Sequence, residues 1–581
     1  MRINSAIALL ILLCSVTLGA STSLRRSARS FESGEALTPG DEGSYILEDK
    51  TADTREFYNP ALALGILNKL NPLPAPNIAS NKSLMIKRDP NYCLKTHEYL
   101  VKNPTSVFNE LNFLTDYSML SYFRKDIVPM VGRDVMPYIN SDYIRLSQKL
   151  GGFDIEPSVN NIFFKLGVHN ELHIGSHFAC LTQNYNHIPG SDDIANKDAV
   201  AHNLKIYYEK YKNQPTCSPG DKFFPQTWLL ANEAECKEWF AYINSPEYER
   251  EKAEKTIVFI RKIGVGVHRG AGVQPVDEEE EQMLRRGLKN GENCGKKMDY
   301  SIIVQRYISN PLLVYNHKFD FRVYMMVSST NPLTVYYHDG FLRVSLYEYD
   351  VNSKAKGAHL TNTAQSEDVF KDKELQEKMG MNETELRNFQ MWNYTRLANY
   401  LISEGRIDSL GWIDGYLRPK IEHAMQHLIR ITKNSFAKQS NLWELYGVDF
   451  MLDDKLNLWF IECNRSPVIK DSNEEKGLFL RKLFRDGFEI LSAQLRSRMK
   501  RVIKFVNMLT SEGFARENTL DPSDVVLPNL EENRRIFNSL LENKIDDEFK
   551  ISPDNSWIKI VDETLPGVER YNGMFPIECF D

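Results

Sequence analysis

Five short runs rich in β-branched and aromatic residues crowd into residues 255–350: 256–260, 301–304, 321–327, 333–337 and 341–345. Gly, Asn, Pro or Asp bounds them, as expected for strands joined by tight connections. Asn331-Pro332 and Asp339-Gly340 read as hairpin turns. This core is therefore expected to hold adjacent antiparallel strands, and not βαβ crossovers alone. Residues 445–452 and 456–463 read as a further strand pair about Asp453-Asp454-Lys455. Helical periodicity recurs at 198–212, 372–383, 419–433 and 480–506, and 527–541 reads as one more helix. The expected fold class is α/β of the α+β kind, with antiparallel sheets flanked by helices.

A length of 581 residues allows roughly two to four domains. With 42% hydrophobic residues the chain can bury a large core, which excludes wholesale disorder. Its 71 basic and 78 acidic side chains give a net charge of -7, so a dedicated nucleic-acid binder is not expected. Eight cysteines without a C-x-x-C pair exclude a zinc ribbon, and their spacing excludes a small disulfide-dense scaffold.

Arg2, the apolar run 7–13 and the small residues 16–20 read as a secretory signal peptide over 1–20; a start at Met85 is the alternative. No later stretch is long and apolar enough for a stable membrane span. Residues 21–90, with Pro72, Pro74 and Pro76, read as a disordered linker. An N-terminal part with a first subdomain is expected over 91–250, a core over 251–510 and a C-terminal extension over 511–581. N-glycosylation sequons stand at Asn81, Asn382, Asn393 and Asn464.

Glu462 and Asn464 are two apart on an expected strand, so both side chains share one face, and Asp449 lies on the preceding strand. Three hard oxygen ligands suit Mg²⁺; a solvated polar face is the plainer reading. Lys262 closes a strand and precedes a glycine-rich loop ending in Gly270 and Gly272, a pattern that suits phosphate or an ordinary turn. Arg269 breaks the dinucleotide fingerprint, and no Gly-Lys-Ser/Thr follows for a Walker loop. In Lys318-Phe-Asp-Phe-Arg322 the charges alternate with aromatics, so Lys318, Asp320 and Arg322 share a face, with Arg343 on a neighbouring strand. That cluster suits phosphoryl or acyl-phosphate chemistry, or a plain cross-strand salt-bridge ladder.

Together these residues resemble the tubulin-tyrosine ligase family of the ATP-grasp fold over roughly residues 180–500. The strings that carry the likeness start at Asn186, Lys197, Asn203, Phe224, Val304, Lys318, His359, Glu444 and Glu462, in family order. The resemblance implies that Lys262 and Lys318 contact nucleotide phosphates. It puts Gln305 and Tyr307 beside adenine, and Thr361 and Asn362 near ribose, phosphates and metal. Asp320, Arg322 and Arg343 would hold nucleotide and acceptor, and Asp449, Glu462 and Asn464 would hold Mg²⁺. Ile263 departs from the family's usual proline after the lysine.

The implied reaction uses ATP to activate an acceptor carboxylate as an acyl phosphate, which an amine then attacks. The implied partners are a free amino acid (glutamate first, glycine or tyrosine next) and tubulin or another acidic protein. An ATP-binding pseudoenzyme and a secreted structural protein are the readings from other classes. The basic residues of 480–506, among them Arg496, Arg498, Lys500 and Arg501, are expected either to hold an acidic tail or to form a solvated face. The leader implies the secretory route, and the family's tubulin substrate implies the cytosol.

Overall fold

The computed structural model describes residues 55–70, parts of 97–108, 164–165, 184–185, and 187–580 apart from 220–222, 256, 265–271, 297–300, 354–358, 360, 362–368, 466, 468–472 and 513–524. The leader, Asn81, Gly270 and Asn362 lie outside the described residues.

Two antiparallel sheets form the scaffold. The smaller contains β1 (Thr227–Leu229), β2 (Phe259–Ile263), β3 (Val273–Pro275) and β4 (Ile302–Arg306), in the order β1-β4-β2-β3. Trp228, Trp239, Phe240, Phe259 and Val304 make its own core. A Cys236–Cys294 disulfide ties the helix Glu233–Ile243 to the segment before β4.

The larger sheet has seven strands: β5 (Leu313–Val314), β6 (His317–Thr330), β7 (Leu333–Glu348), β8 (Met391–Trp392), β9 (Glu444–Leu452), β10 (Leu458–Asn464) and β11 (Ile558–Asp562). Its order is β8-β7-β6-β9-β10, with β5 on β6 and β11 on β7, all antiparallel. The expected α+β architecture is thus present. Asn331-Pro332 does turn the β6–β7 hairpin, since Thr330 pairs with Leu333. Asp339-Gly340 does not turn; both residues lie inside β7. A Cβ at Gly340 would stand 1.5 Å from the Arg322 carbonyl oxygen, so the glycine permits close strand approach where the register shifts.

Of the helices among the described residues, those used below are α1 (Pro60–Leu70), α2 (Lys197–Lys210), α3 (Arg418–Thr432), α4 (Glu474–Ser511) and α5 (Leu530–Leu540). The expected helix over 372–383 is two: Lys373–Met379 stops at Gly380, whose φ is +62°, and Asn382 caps Glu383–Gln390. The expected linker 21–90 contains α1. Ala63, Ile66, Leu67 and Leu70 fall one helical turn apart and bury in the same core as Leu480, Leu491 and Met499 of α4. Residues 511–581 likewise do more than extend the core. Their strand β11 pairs with β7, and a Cys217–Cys579 disulfide ties them to the start of the fold across 362 residues.

Three of the basic residues of α4 are engaged within the chain. Arg498 is 1% exposed and donates to Asn184 and Asn543. Lys500 pairs with Glu548. Arg501 pairs with Asp546 and donates to the carbonyls of Leu540, Glu542 and Lys544. Apart from Asn184, these acceptors come from the end of α5 and the segment after it, which periodicity within α4 cannot reveal. Among the described residues no helix is long and apolar enough to cross a membrane.

Candidate active site

Strand alternation sorts the segment 318–322. Phe319 and Phe321 are fully buried in the larger core. Lys318, Asp320 and Arg322 emerge on the opposite face. Register then builds a charged row across four strands. Arg343 of β7 pairs with Asp320 of β6, Arg322 of β6 with Asp449 of β9, and Asp449 with Glu462 of β10. The plainer expectation, a cross-strand salt-bridge ladder, is present in these residues.

Arg343 Nε and Nη2 donate to Asp320 at 2.8 and 2.5 Å, and Nη2 also reaches Asp449 at 2.9 Å. Arg322 grips both oxygens of Asp449, at 2.5 and 3.0 Å. All four side chains are less than a tenth exposed. Burial works against the charge on both arginines, yet the adjoining carboxylates hold both guanidiniums above their ordinary pKa.

This row walls a cleft whose other side comes from the smaller sheet. Lys262, Gln305, Tyr307, Lys318, Asp320, Arg343, Thr361, Asp449 and Glu462 all line it, with His359 added. Lys262 Nζ donates to Gln305 Oε1 at 2.7 Å, and Gln305 Nε2 donates to Thr227 Oγ1 at 2.9 Å. Lys318 Nζ donates to the His359 carbonyl at 3.0 Å and lies 3.4 Å from the Tyr307 hydroxyl. Among the described residues neither ammonium group has a carboxylate partner within ion-pair distance. Burial lowers both lysines to about 8; Glu462 partly offsets this at Lys262, and Asp320 at Lys318. Two buried cations bonded to neutral acceptors are ready for an anion.

Glu462 contacts Lys197 of α2 at 3.1 Å and accepts from Asn464 Nδ2 at 3.2 Å. Burial alone would raise its carboxyl, but Lys197, Asn464 and Lys262 together hold it at about 2. It therefore stays ionised, as a metal ligand must. Asp449 already takes three guanidinium bonds, two of them on Oδ2, so one lone pair of Oδ1 is left for a cation. Two carboxylates and one amide oxygen form a hard donor set that fits Mg²⁺. Among the described residues no group of three His, Cys, Asp or Glu could hold a metal ion.

Gly272 accepts from the Ile263 amide at 3.0 Å and closes the described end of the glycine loop. Arg322 does not line the cleft but stands behind Asp449. Sequence reasoning assigned no role to Lys197, Thr227 or His359. Each lies in a string that carried the family likeness, and that was the available signal.

Residues 176–502 match the family described as the Tubulin-tyrosine ligase family. The protein named Inactive polyglycylase TTLL10 of Homo sapiens is 26% identical over 298 residues, 48% of this chain and 40% of its own length. Protein monoglycylase TTLL8 of Mus musculus is 31% identical over 175 residues, 30% of this chain and 20% of its own length. Probable tubulin polyglutamylase TTLL2 of Homo sapiens is 27% identical over 312 residues, 53% of this chain and 46% of its own length. The chain thus spans less than half the length of each of these relatives.

Proposed function

We propose that this chain, which belongs to the tubulin-tyrosine ligase family, is an ATP-dependent carboxylate–amine ligase that adds an amino acid to an acidic protein. Glutamate is the first donor we propose and glycine the second; relatives are named for both. The observation that carries the reading is the meeting of Lys262 and Lys318, two buried cations without carboxylate partners among the described residues, with the row Arg343–Asp449–Glu462 in one cleft.

In this mechanism Lys262 and Lys318 neutralise the nucleotide phosphates, and Gln305 and Tyr307 border the base. Glu462, Asn464 and the remaining lone pair of Asp449 would hold Mg²⁺, which supplies charge neutralisation at the transferring phosphoryl group. The acceptor carboxylate takes the terminal phosphoryl group, and ADP leaves. The donor amine attacks the acyl carbon, phosphate leaves, and an amide remains. Asp320 and Asp449 fix Arg343 in advance, so its positive charge is already aimed where the tetrahedral oxyanion develops. Lys197 steadies Glu462 from α2.

We further propose that this chemistry takes place in an oxidising compartment. The Cys217–Cys579 and Cys236–Cys294 disulfides support this, because cytosolic thiols stay reduced. The sequons at Asn382 and Asn393 are exposed, which agrees with it. Under this reading the acceptor is an acidic protein of the secretory route, with tubulin the alternative.

The test uses Mg-ATP, labelled glutamate, glycine or tyrosine, and either tubulin or an acidic secretory protein. Label should enter protein, and Glu462→Gln should cut incorporation by about 100-fold or more. ATP binding without any incorporation would replace the ligase reading by that of a nucleotide-binding pseudoenzyme.

A further inference from the structure

The reaction leaves two motifs of the sequence unused, the sequons at Asn382 and Asn393. Each asparagine caps a helix. Asn382 Oδ1 accepts from the Glu385 amide at 3.0 Å and starts the helix Glu383–Gln390. Asn393 Oδ1 accepts from the Arg396 amide at 2.8 Å and starts the helix Tyr394–Ser403. Both asparagines are exposed, and so are Thr384 and Thr395, the hydroxyl residues two places on. The caps use the amide oxygen, whereas a sugar joins the amide nitrogen. The printed bonds of Asn382 run through Oδ1 and its backbone amide. Asn393 Nδ2 donates to Glu475 at 3.3 Å, a bond that needs one of its two hydrogens.

Packing sets the side of the sheet on which they stand. Leu386 and Leu397, one from each helix, join Phe319 and Phe321 of β6 and Ile421 of α3 in the larger core. Lys318, Asp320 and Arg322 leave β6 on the opposite face. Both capped helices therefore belong to the layer on the sheet face away from the candidate cleft. The sequon at Asn464 differs on each count. It starts in β10, and Asn464 Nδ2 donates at 3.2 Å to Glu462, which lines the cleft. It ends in Ser466 with Pro467 next, whereas the other two end in Thr and are followed by Glu385 and Arg396. In the nascent chain a proline biases the residue before it toward extended backbone, which opposes the tight turn in which a sequon is presented.

We propose that Asn382 and Asn393 carry N-linked oligosaccharides and that Asn464 does not. The donor is an oligosaccharide joined through its C1 to a polyprenyl pyrophosphate of the secretory membrane. The bond from C1 to the pyrophosphate oxygen breaks, a bond from Nδ2 to C1 forms, the lipid pyrophosphate leaves, and Nδ2 gives up one proton. Oδ1 is untouched, so both helix caps survive the modification. The sugars stand behind the larger sheet, and the amide oxygen of Asn464 is kept for the cleft. The proposal rests on the oxidising-compartment reading above and is independent of turnover.

The test expresses the full chain in a secreting eukaryotic cell line and treats it with a peptide-N-glycosidase in water enriched in heavy oxygen. That treatment turns each glycosylated Asn into Asp and marks it with the heavy isotope, which peptide mass spectrometry reads. The mark should appear at Asn382 and Asn393 and be absent from Asn464. Asn382→Asp and Thr384→Ala should each remove one step of gel mobility. The first keeps a capping oxygen and the second keeps the asparagine, so agreement between them assigns the change to the sugar and not to the helix. Absence of the mark from Asn382 and Asn393, with alkylation showing Cys217 and Cys579 joined, would overturn the proposal and leave the compartment standing. Absence of the mark with both thiols free would overturn the two together. A mark at only one of the pair would overturn the proposal for the other, and a mark on most chains at Asn464 would overturn the selectivity. Sugars in the expected pattern on a chain that forms no amide with any donor would remove the ligase reading and leave this one intact.

Discussion

Arg322 and Arg343 on the β6–β7 hairpin and Arg498 and Arg501 on α4 are four cations in two settings. Those on the strands answer to carboxylates held in the same sheet by register, and Arg343 opens onto a cleft. Those on the helix answer mainly to amide and backbone oxygens, and Asp546 is the carboxylate among the partners described for them. The first arrangement fixes charge where a substrate can meet it. The second uses charge to fasten one part of the chain to another. Residue type and local spacing do not separate the two cases; the source of the acceptors does.

The sharpest way to break this contrast is to remove the shared carboxylate. Asp449→Asn leaves Arg322 buried without a carboxylate, and Arg343 with Asp320 alone. Urea denaturation should show a loss of about 3–5 kcal/mol, the usual effect of breaking a buried pair from one side. A loss below about 1 kcal/mol would mean that the guanidiniums reach water and that the row is not pre-organised.

On the helix side, Arg501→Ala should cost about 2 kcal/mol, through loss of a charge-assisted bond and several carbonyl contacts. Acceptor affinity should not change. A weaker acceptor with unchanged melting would restore the helix face as a binding surface.

The smallest effect concerns pH and sets the two lysines of the cleft apart from both arginine groups. Lys262 and Lys318 are lowered from 10.5 to about 8, so in the empty cleft they lose their protons as pH rises through 8. Affinity for Mg-ATP should then fall, by at most about tenfold per pH unit for each lysine. Stability of the nucleotide-free chain should move the other way between 8 and 10.5. The unfolded state still holds its protons there, while the folded state no longer carries two buried charges. Affinity that stays flat to pH 9.5 in titration calorimetry would remove both lysines from phosphate binding.

Much of the candidate cleft was legible because strand alternation is local. Phe319 and Phe321 fix which way Lys318, Asp320 and Arg322 face, and five residues suffice to read it. The hairpin at Asn331-Pro332 was legible for the same reason. Asp339-Gly340 misled because a glycine that permits a turn also permits close backbone approach, and the Arg322 carbonyl that decides between them is 18 residues away. The buried helix α1 was hidden among charged and proline-rich neighbours. The two described disulfides were hidden as well, since residues 217 and 579 show no spacing that pairs them. What was missed depended on partners distant in sequence.

The pairing of β11 with β7 has a consequence for the chain as it is made. β7 ends at Glu348, and β11 begins at Ile558, roughly 210 residues later. At ordinary rates of translation the ribosome needs roughly 10–40 s to cover that interval. Throughout it the stretch Thr334–Tyr337 of the nascent β7 lacks its final neighbour, an exposed strand edge of the kind that recruits other chains. Successful synthesis of this protein therefore depends on chaperones, or on provisional contacts within the growing chain, to shield that edge until the last strand emerges.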